Sequence, residues 1–224
     1  MNTPIKKIKV ASRPSRLALV QVDEIHSLLH KKGTNIHFEK ITYATQGDKD
    51  KKTPLTENAA DDFFTDAIDT ALLNGEADIA IHSAKDLPKK MREGLCVFAL
   101  TAPLDETDAF VGKVHFKDLK AKTKVGTSSD IRQKSVKALR PDVNIVDIRG
   151  TIEERIQLIE NGVCDGIIVA TAALKRLGLT HHIKNIMPWE AVPLQGQLAV
   201  VGLTDHFALK ALFSSIDVRK AYGR

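Results

Sequence analysis

The sharpest chemical signal lies in Asp78-Ile79-Ala80-Ile81-His82-Ser83-Ala84-Lys85-Asp86-Leu87-Pro88. An apolar run passes there into polar side chains, and Pro88 ends any strand pairing. Lys85 and Asp86 then stand beyond the carboxyl end of a buried strand. A carboxylate in that place can stabilise a cation or exchange a proton. The same residues also suit an ordinary strand-to-loop turn with a surface ion pair. His82 reads either as a core histidine or as a base.

Three further segments have similar chemistry. Gly126-Thr127-Ser128-Ser129 precedes a helix carrying Arg132. Hydroxyls and free backbone N–H groups at a helix start hold carboxylates or phosphates, although such a start is also an ordinary N-cap. Asp147-Ile148-Arg149-Gly150 is followed by Arg155, about one turn into the next helix. Gly150 lets backbone approach a ligand, and arginine forks pair with carboxylates; two arginines can equally be surface charge. Ala11-Ser12-Arg13-Pro14-Ser15 places Arg13 and Ser15 at another strand-to-helix turn. Four strand ends that all supply Arg, Lys, Ser or Thr, with one Asp, describe a pocket for a small molecule bearing several carboxylates.

The elements that position these groups are short and alternating. Residues 5–11 read as a strand and 15–32 as a helix. Its Leu17, Val20, Gln21, Leu28 and Leu29 lie near a 3.6-residue period, and Gly33 is its stop. Residues 36–44 alternate like a strand, 61–73 carry a broad helical apolar face, and 77–81 suit a buried parallel strand. The pattern returns as strands at 124–126, 144–148 and 165–170, with helices at 129–139 and 151–160. Thr151 and Glu154 have capping-box spacing. After Pro193, a strand at 198–203 and a helix at 207–216 follow. Strands alternating with helices imply parallel-rich α/β sheets, whose ligands bind beyond the carboxyl strand ends. Two lobes fit better than one sheet. Residues 1–101 with 198–224 form the first and 102–197 the second, giving an interdomain cleft.

Composition narrows the function classes. The 224 residues include 33 Lys plus Arg and 28 Asp plus Glu, a net charge of +5. With 43% hydrophobic and 27% charged residues, the chain is an ordinary globular one; disorder, collagen and coiled coil are excluded. Basic charge is spread rather than pooled, and aromatics are 5%, which argues against nucleic-acid binding. The apolar run at 166–174 falls far below the ~20 residues of a membrane span. The first residues lack a signal-peptide run. Cys96 and Cys164 belong to no CxxC or Cys/His set, so no metal is expected. They read as free thiols in a reducing compartment. The expectation is a cytoplasmic monomer that binds neither nucleic acid nor membrane.

The ordered series of motifs resembles the hydroxymethylbilane synthase, or porphobilinogen deaminase, family from about Lys7 onward. It comprises residues 11–21, Thr45-Gln46-Gly47-Asp48, residues 71–88, Asp108-Ala109-Phe110-Val111, residues 126–129, Arg149-Gly150, residues 172–179 and residues 193–199. The resemblance implies two periplasmic-binding-protein-like lobes and a transferase of haem biosynthesis. That enzyme condenses four porphobilinogen units into a linear tetrapyrrole with release of ammonia. The product grows on a dipyrromethane cofactor held by a cysteine thioether in a third domain. Asp86 matches the catalytic aspartate. Arg13, Ser15, Lys85, Arg132, Arg149, Arg155 and Arg176 match residues holding acetate and propionate groups. Thr127, Ser128 and Ser129 match the loop that holds cofactor carboxylates.

Some positions depart from the family. Glu57-Asn58-Ala59-Ala60-Asp61-Asp62 stands where the family has a glycine- and lysine-rich loop. Ile131 replaces one of two paired arginines, and the Gly-Gln-Gly run is shortened to Gln195-Gly196-Gln197-Leu198. The third domain is expected to be absent, and neither Cys96 nor Cys164 falls at the attachment position, so no covalent cofactor is expected. Two functions follow: a short hydroxymethylbilane synthase-like transferase, or a non-catalytic two-lobed protein that binds a pyrrole or another small polycarboxylate.

Overall fold

The computed structural model describes residues 7–49 and 65–221. Backbone proximity divides them into two units, one of residues 7–49, 65–103 and 197–221, the other of residues 104–196.

The first unit begins with β1 (Lys7–Ser12), α1 (Arg16–Lys31), β2 (His37–Thr42) and a single turn, α2 (Gln46–Lys49). α3 (Asp66–Leu73), β3 (Ile79–Ser83) and β4 (Leu95–Leu100) follow. Ser15 caps α1 through its hydroxyl, which accepts from the Ala18 N–H at 3.3 Å. Of the helix expected over 61–73, only the part from Thr65 lies among the described residues.

The second unit holds β5 (Asp108–Gly112), β6 (Lys124–Gly126), α4 (Asp130–Leu139), β7 (Asn144–Val146) and α5 (Ile152–Glu160). β8 (Gly166–Ala170), α6 (Thr171–Leu177) and β9 (Ile183–Ile186) complete it. The chain then returns to the first unit as β10 (Leu198–Leu203) and α7 (Phe207–Phe213). The expected helix over 207–216 tightens into a 3-10 turn at Ser214–Ile216. The expected strand over 144–148 stops at Val146, and Thr127 N–H donates to its carbonyl.

Each unit contains a five-stranded mixed sheet, ordered β2-β1-β3-β10-β4 in the first and β7-β6-β8-β5-β9 in the second. β1 pairs parallel with β2 and β3, and β6 pairs parallel with β7 and β8. The remaining neighbours, β3·β10, β10·β4, β8·β5 and β5·β9, are antiparallel. The two-residue period of the strands sends alternate side chains to opposite faces. In the first unit Ile79 and Ile81 pack with Val22, Ile25 and Phe213 on one face, while Ala80 meets Ile68 and Leu72 on the other. In the second, Ile167 and Val169 pack with Ile156 and Leu174, and Ile168 packs with Phe110 and Val136. Both sheets are therefore covered on both faces, so their functional groups emerge at strand ends. Among the described residues no helix is long and apolar enough to cross a membrane.

Candidate functional site

In the first unit β1, β2 and β3 run the same way, so their carboxyl ends share one edge of the sheet. Arg13 follows β1, Thr45–Asp48 follow β2, and Ser83–Asp86 follow β3. β10 starts at the same edge, with Leu198 opposite Ser83.

Arg13 is gripped by Asp48. Its Nε donates to Oδ1 at 3.0 Å and Oδ2 at 3.2 Å, and its Nη2 donates to Oδ1 at 2.5 Å. The Asp48 Oδ2 also accepts from the Thr45 amide and hydroxyl at 3.1 and 2.9 Å. Burial works against the Asp48 charge, but Arg13 and Thr45 outweigh it and hold the carboxyl below its ordinary range. Lys85 is half-buried in the 3-10 turn Ala84–Asp86. Asp86 at the end of that turn is exposed, and its carboxylate has no hydrogen-bond or ion-pair partner among the described residues.

Behind this edge, Gln21 Nε2 donates to Ser83 Oγ at 2.9 Å. His82 is 7% exposed, and its Nε2 has no hydrogen-bond partner among the described residues. Burial, and then the nearby Arg13 charge, push its pKa down to about 4, so the ring is neutral at pH 7.

The second unit repeats the arrangement with β6, β7 and β8. Thr127, Ser128 and Ser129 follow β6 and lead into α4. The Thr127 hydroxyl accepts from the Ser129 amide at 3.3 Å, and the Ser129 hydroxyl caps the helix by accepting from the Arg132 amide at 3.5 Å. Ser128 is buried, and its hydroxyl has no partner among the described residues.

Arg149 follows β7 and is half-buried. Gly150 has φ +105°, and a Cβ there would collide with the Glu154 side chain, which accepts from the Thr151 amide to close the predicted capping box. Arg155 turns back, its Nε donating to the Gly150 carbonyl at 2.9 Å. Arg176 on α6 donates through Nη2 to the Gly196 carbonyl at 2.9 Å.

The acidic loop Glu57–Asp62 noted in the sequence lies outside the described residues. Within each unit the remaining candidates gather at one sheet edge. Asp86, Lys85, Arg13 and Ser15 lie in the first, and Thr127, Ser128, Ser129, Arg132, Arg149, Gly150, Arg155 and Arg176 in the second.

Sequence reasoning assigned no role to Asp48, Asp108 or Trp189. Asp108 opens β5 opposite Ala170, hence at the same edge as Thr127, and takes both Arg132 Nε and Nη2. Its available signal was a charged residue at the head of the apolar run Ala109-Phe110-Val111.

The family model "Porphobilinogen deaminase, dipyromethane cofactor binding domain" matches residues 8–210. Porphobilinogen deaminase of Clostridium botulinum is 40% identical over 212 residues, covering 93% of this chain and 73% of that protein. The Caldicellulosiruptor saccharolyticus porphobilinogen deaminase is 37% identical, covering 97% and 76%. Among solved structures, a TRAP periplasmic solute binding protein from Desulfovibrio salexigens superposes with a TM-score of 0.56 at 15% identity, covering 98% of this chain and 74% of that one. The Bordetella pertussis BvgS VFT2 domain does so with 0.54 at 14% identity, covering 95% and 86%. At those identities the structural matches speak for the fold alone, that of periplasmic-binding-protein lobes. The sequence matches go further: this chain belongs to the porphobilinogen deaminase family.

Proposed function

We propose that the chain is a transferase of tetrapyrrole biosynthesis that condenses porphobilinogen head to tail with loss of ammonia. Asp86 is the catalytic carboxylate. The observation that carries this reading is its open, exposed carboxylate at the end of the 3-10 turn that follows β3, in a chain of this family. As the aminomethyl C–N bond breaks, the bond pair leaves with ammonia and the pyrrole methylene becomes cationic. A fixed negative charge lowers the energy of that cation. The α-carbon of a second pyrrole then forms the new C–C bond and loses its proton, restoring both rings. Arg13, Ser15, Lys85, Arg132, Arg149, Gly150, Arg155 and Arg176 serve the acetate and propionate groups through charge-assisted hydrogen bonds. The two units are the two lobes of the family fold, and the chain works as a cytoplasmic monomer.

A dipyrromethane is a polycarboxylate, so its fit can be tested on donors. Ser128 offers a hydroxyl without a partner among the described residues, just before α4 and beside Thr127 and Ser129, which suits a carboxylate. When bound, such a group supplies the free pyrrole α-carbon on which growth begins. A thioether does not fit either thiol. Cys164 is 1% exposed and burial pushes its thiol pKa up, while Cys96 packs against the first unit's core. Among the residues of this sequence, Thr127, Ser128 and Ser129 would hold the dipyrromethane through its carboxylates, and neither Cys96 nor Cys164 suits the thioether. Intact-mass measurement should give the unmodified chain mass; an added dipyrromethane on either cysteine would overturn this point.

The test of function is incubation with porphobilinogen, measuring ammonia and the absorbance of the linear tetrapyrrole. Both should rise together. Tight binding by calorimetry with neither product would select the non-catalytic binding protein instead.

A further inference from the structure

Asp108 is 2% exposed, yet it is a hub of four hydrogen bonds. Arg132 Nη2 donates to its Oδ1 at 2.7 Å and Arg132 Nε to its Oδ2 at 3.0 Å. Gln195 Nε2 donates to Oδ1 at 2.9 Å, and Trp189 Nε1 to Oδ2 at 3.0 Å. Burying a carboxylate is costly unless it is paired and fully hydrogen-bonded, and this one is both. Burial works against its charge, but the Arg132 fork outweighs that and keeps the carboxyl below its ordinary range. Gln195 adds a second restraint. Its Oε1 accepts from Arg132 Nη2 at 3.2 Å, and its Nε2 also donates to the Glu106 and Thr107 carbonyls at 3.0 Å each. Gln195 is itself 2% exposed, so the brace is part of the unit's interior.

This network uses up one edge of the guanidinium. Nε gives its proton to Asp108, and Nη2 gives its two to Asp108 and Gln195. Nη1 has no partner among the described residues. Arg132 sits in the first turn of α4, directly after the Thr127–Ser129 hydroxyls.

We propose that Asp108, braced by Gln195 and Trp189, is the positioning residue of Arg132. It holds the Nε–Nη2 edge inward so that Nη1 alone meets a ligand carboxylate, end-on rather than fork to fork. The Arg132–Asp108 pair carries no net charge, so this contact selects by hydrogen-bond direction more than by long-range attraction. The inference rests on the reading that Arg132 serves a porphobilinogen carboxylate. Trp189 is the one tryptophan of the sequence and is bonded to the same carboxylate, which makes it a reporter.

The experiment is a titration of the full chain with porphobilinogen in the Asp86→Asn background, followed by calorimetry and Trp189 emission. Asp108→Asn turns an acceptor into an amide that faces the Arg132, Trp189 and Gln195 donors. It should weaken binding about tenfold, the worth of one charge-assisted hydrogen bond. Its affinity should fall more steeply with added salt, because the Arg132 charge is no longer neutralised. Trp189 emission of the free protein should shift, and Asp108→Glu should recover part of the affinity. Asp108→Asn binding at wild-type affinity and salt dependence, while Arg132→Gln loses affinity, would overturn the positioning role alone. Arg132→Gln binding at full affinity would remove the carboxylate-holding reading itself and this proposal with it. If Asp108→Asn fails to fold, Asp108→Glu decides, since its longer arm displaces the guanidinium: unchanged affinity there overturns the proposal.

Discussion

His82 ties the pH dependence of folding to the strand end that carries Asp86. Its ring is buried at the penultimate position of β3, its Nε2 has no partner among the described residues, and the Arg13 charge lies close by. Each circumstance penalises the imidazolium. In the unfolded chain the ring takes a proton near pH 6.5, whereas in the fold it does so only at about 4. Above pH 6.5 both states hold a neutral ring and nothing is lost. As pH falls from 6.5 toward 4, the unfolded chain gains a proton that the folded chain refuses, so the fold loses stability. The gap is worth about 3 kcal/mol at about 1.4 kcal/mol per pH unit, and the loss levels off below pH 4. Urea unfolding followed by far-ultraviolet circular dichroism at pH 7.5, 6.5, 5.5 and 4.5 reads this directly. His82→Gln should lower stability at pH 7.5 only through altered packing, and it should lack the acid-side slope. The wild-type curve should thus fall relative to the variant by about 1.4 kcal/mol for each pH unit between 6.5 and 4. Parallel curves would refute the reasoning and mean that His82 finds a partner or water in solution. Asp48 and Asp108, whose depressed carboxyls stabilise the fold fully above their unfolded pKa and lose that effect progressively as pH falls through the folded one, contribute equally to both proteins and cancel.

Three other perturbations test the scaffold. Asp48→Asn should cost about 1–3 kcal/mol by leaving the half-buried Arg13 and fully buried Thr45 donors without their carboxylate, read by urea unfolding at pH 7; an unchanged midpoint would mean that the pair is ornamental. Gly196→Ala should lower the unfolding free energy by more than about 2 kcal/mol, read as a clear drop in melting temperature, because φ is +81° and a Cβ would strike the Asp105 backbone. Thr151→Ala removes the capping hydroxyl of α5 and should cost about 1 kcal/mol by the same unfolding assay.

Local chemistry made part of this architecture readable. Ser15 before α1 and the Thr151–Glu154 box before α5 act within one helical turn, so spacing alone exposed them. The strand-end position of Asp86 followed from a buried run meeting Pro88. The strand at 165–170 was legible, but the helix that follows it, α6, was not. Apart from Thr171 the run at 166–174 is apolar, and β8 passes into α6 at Ala170/Thr171 with no contrasting period, because both the strand and the helix start are buried. The partners of the arginines were equally hidden. Asp48 reaches Arg13 across 35 positions and Asp108 reaches Arg132 across 24, and nothing in either local pattern tells a fork held by its own chain from one kept for a ligand. Arg155 illustrates the same point at short range, where its guanidinium returns to the Gly150 carbonyl.

The central claim is that the Asp86 carboxylate stabilises the cation formed when ammonia leaves porphobilinogen. Rapid-quench measurement of ammonia from wild type and Asp86→Asn, at saturating porphobilinogen and matched melting temperature, tests it most directly. The account predicts release by the wild type and a fall of at least a hundredfold in the variant, with binding retained. Ammonia release by Asp86→Asn at the wild-type rate would contradict it.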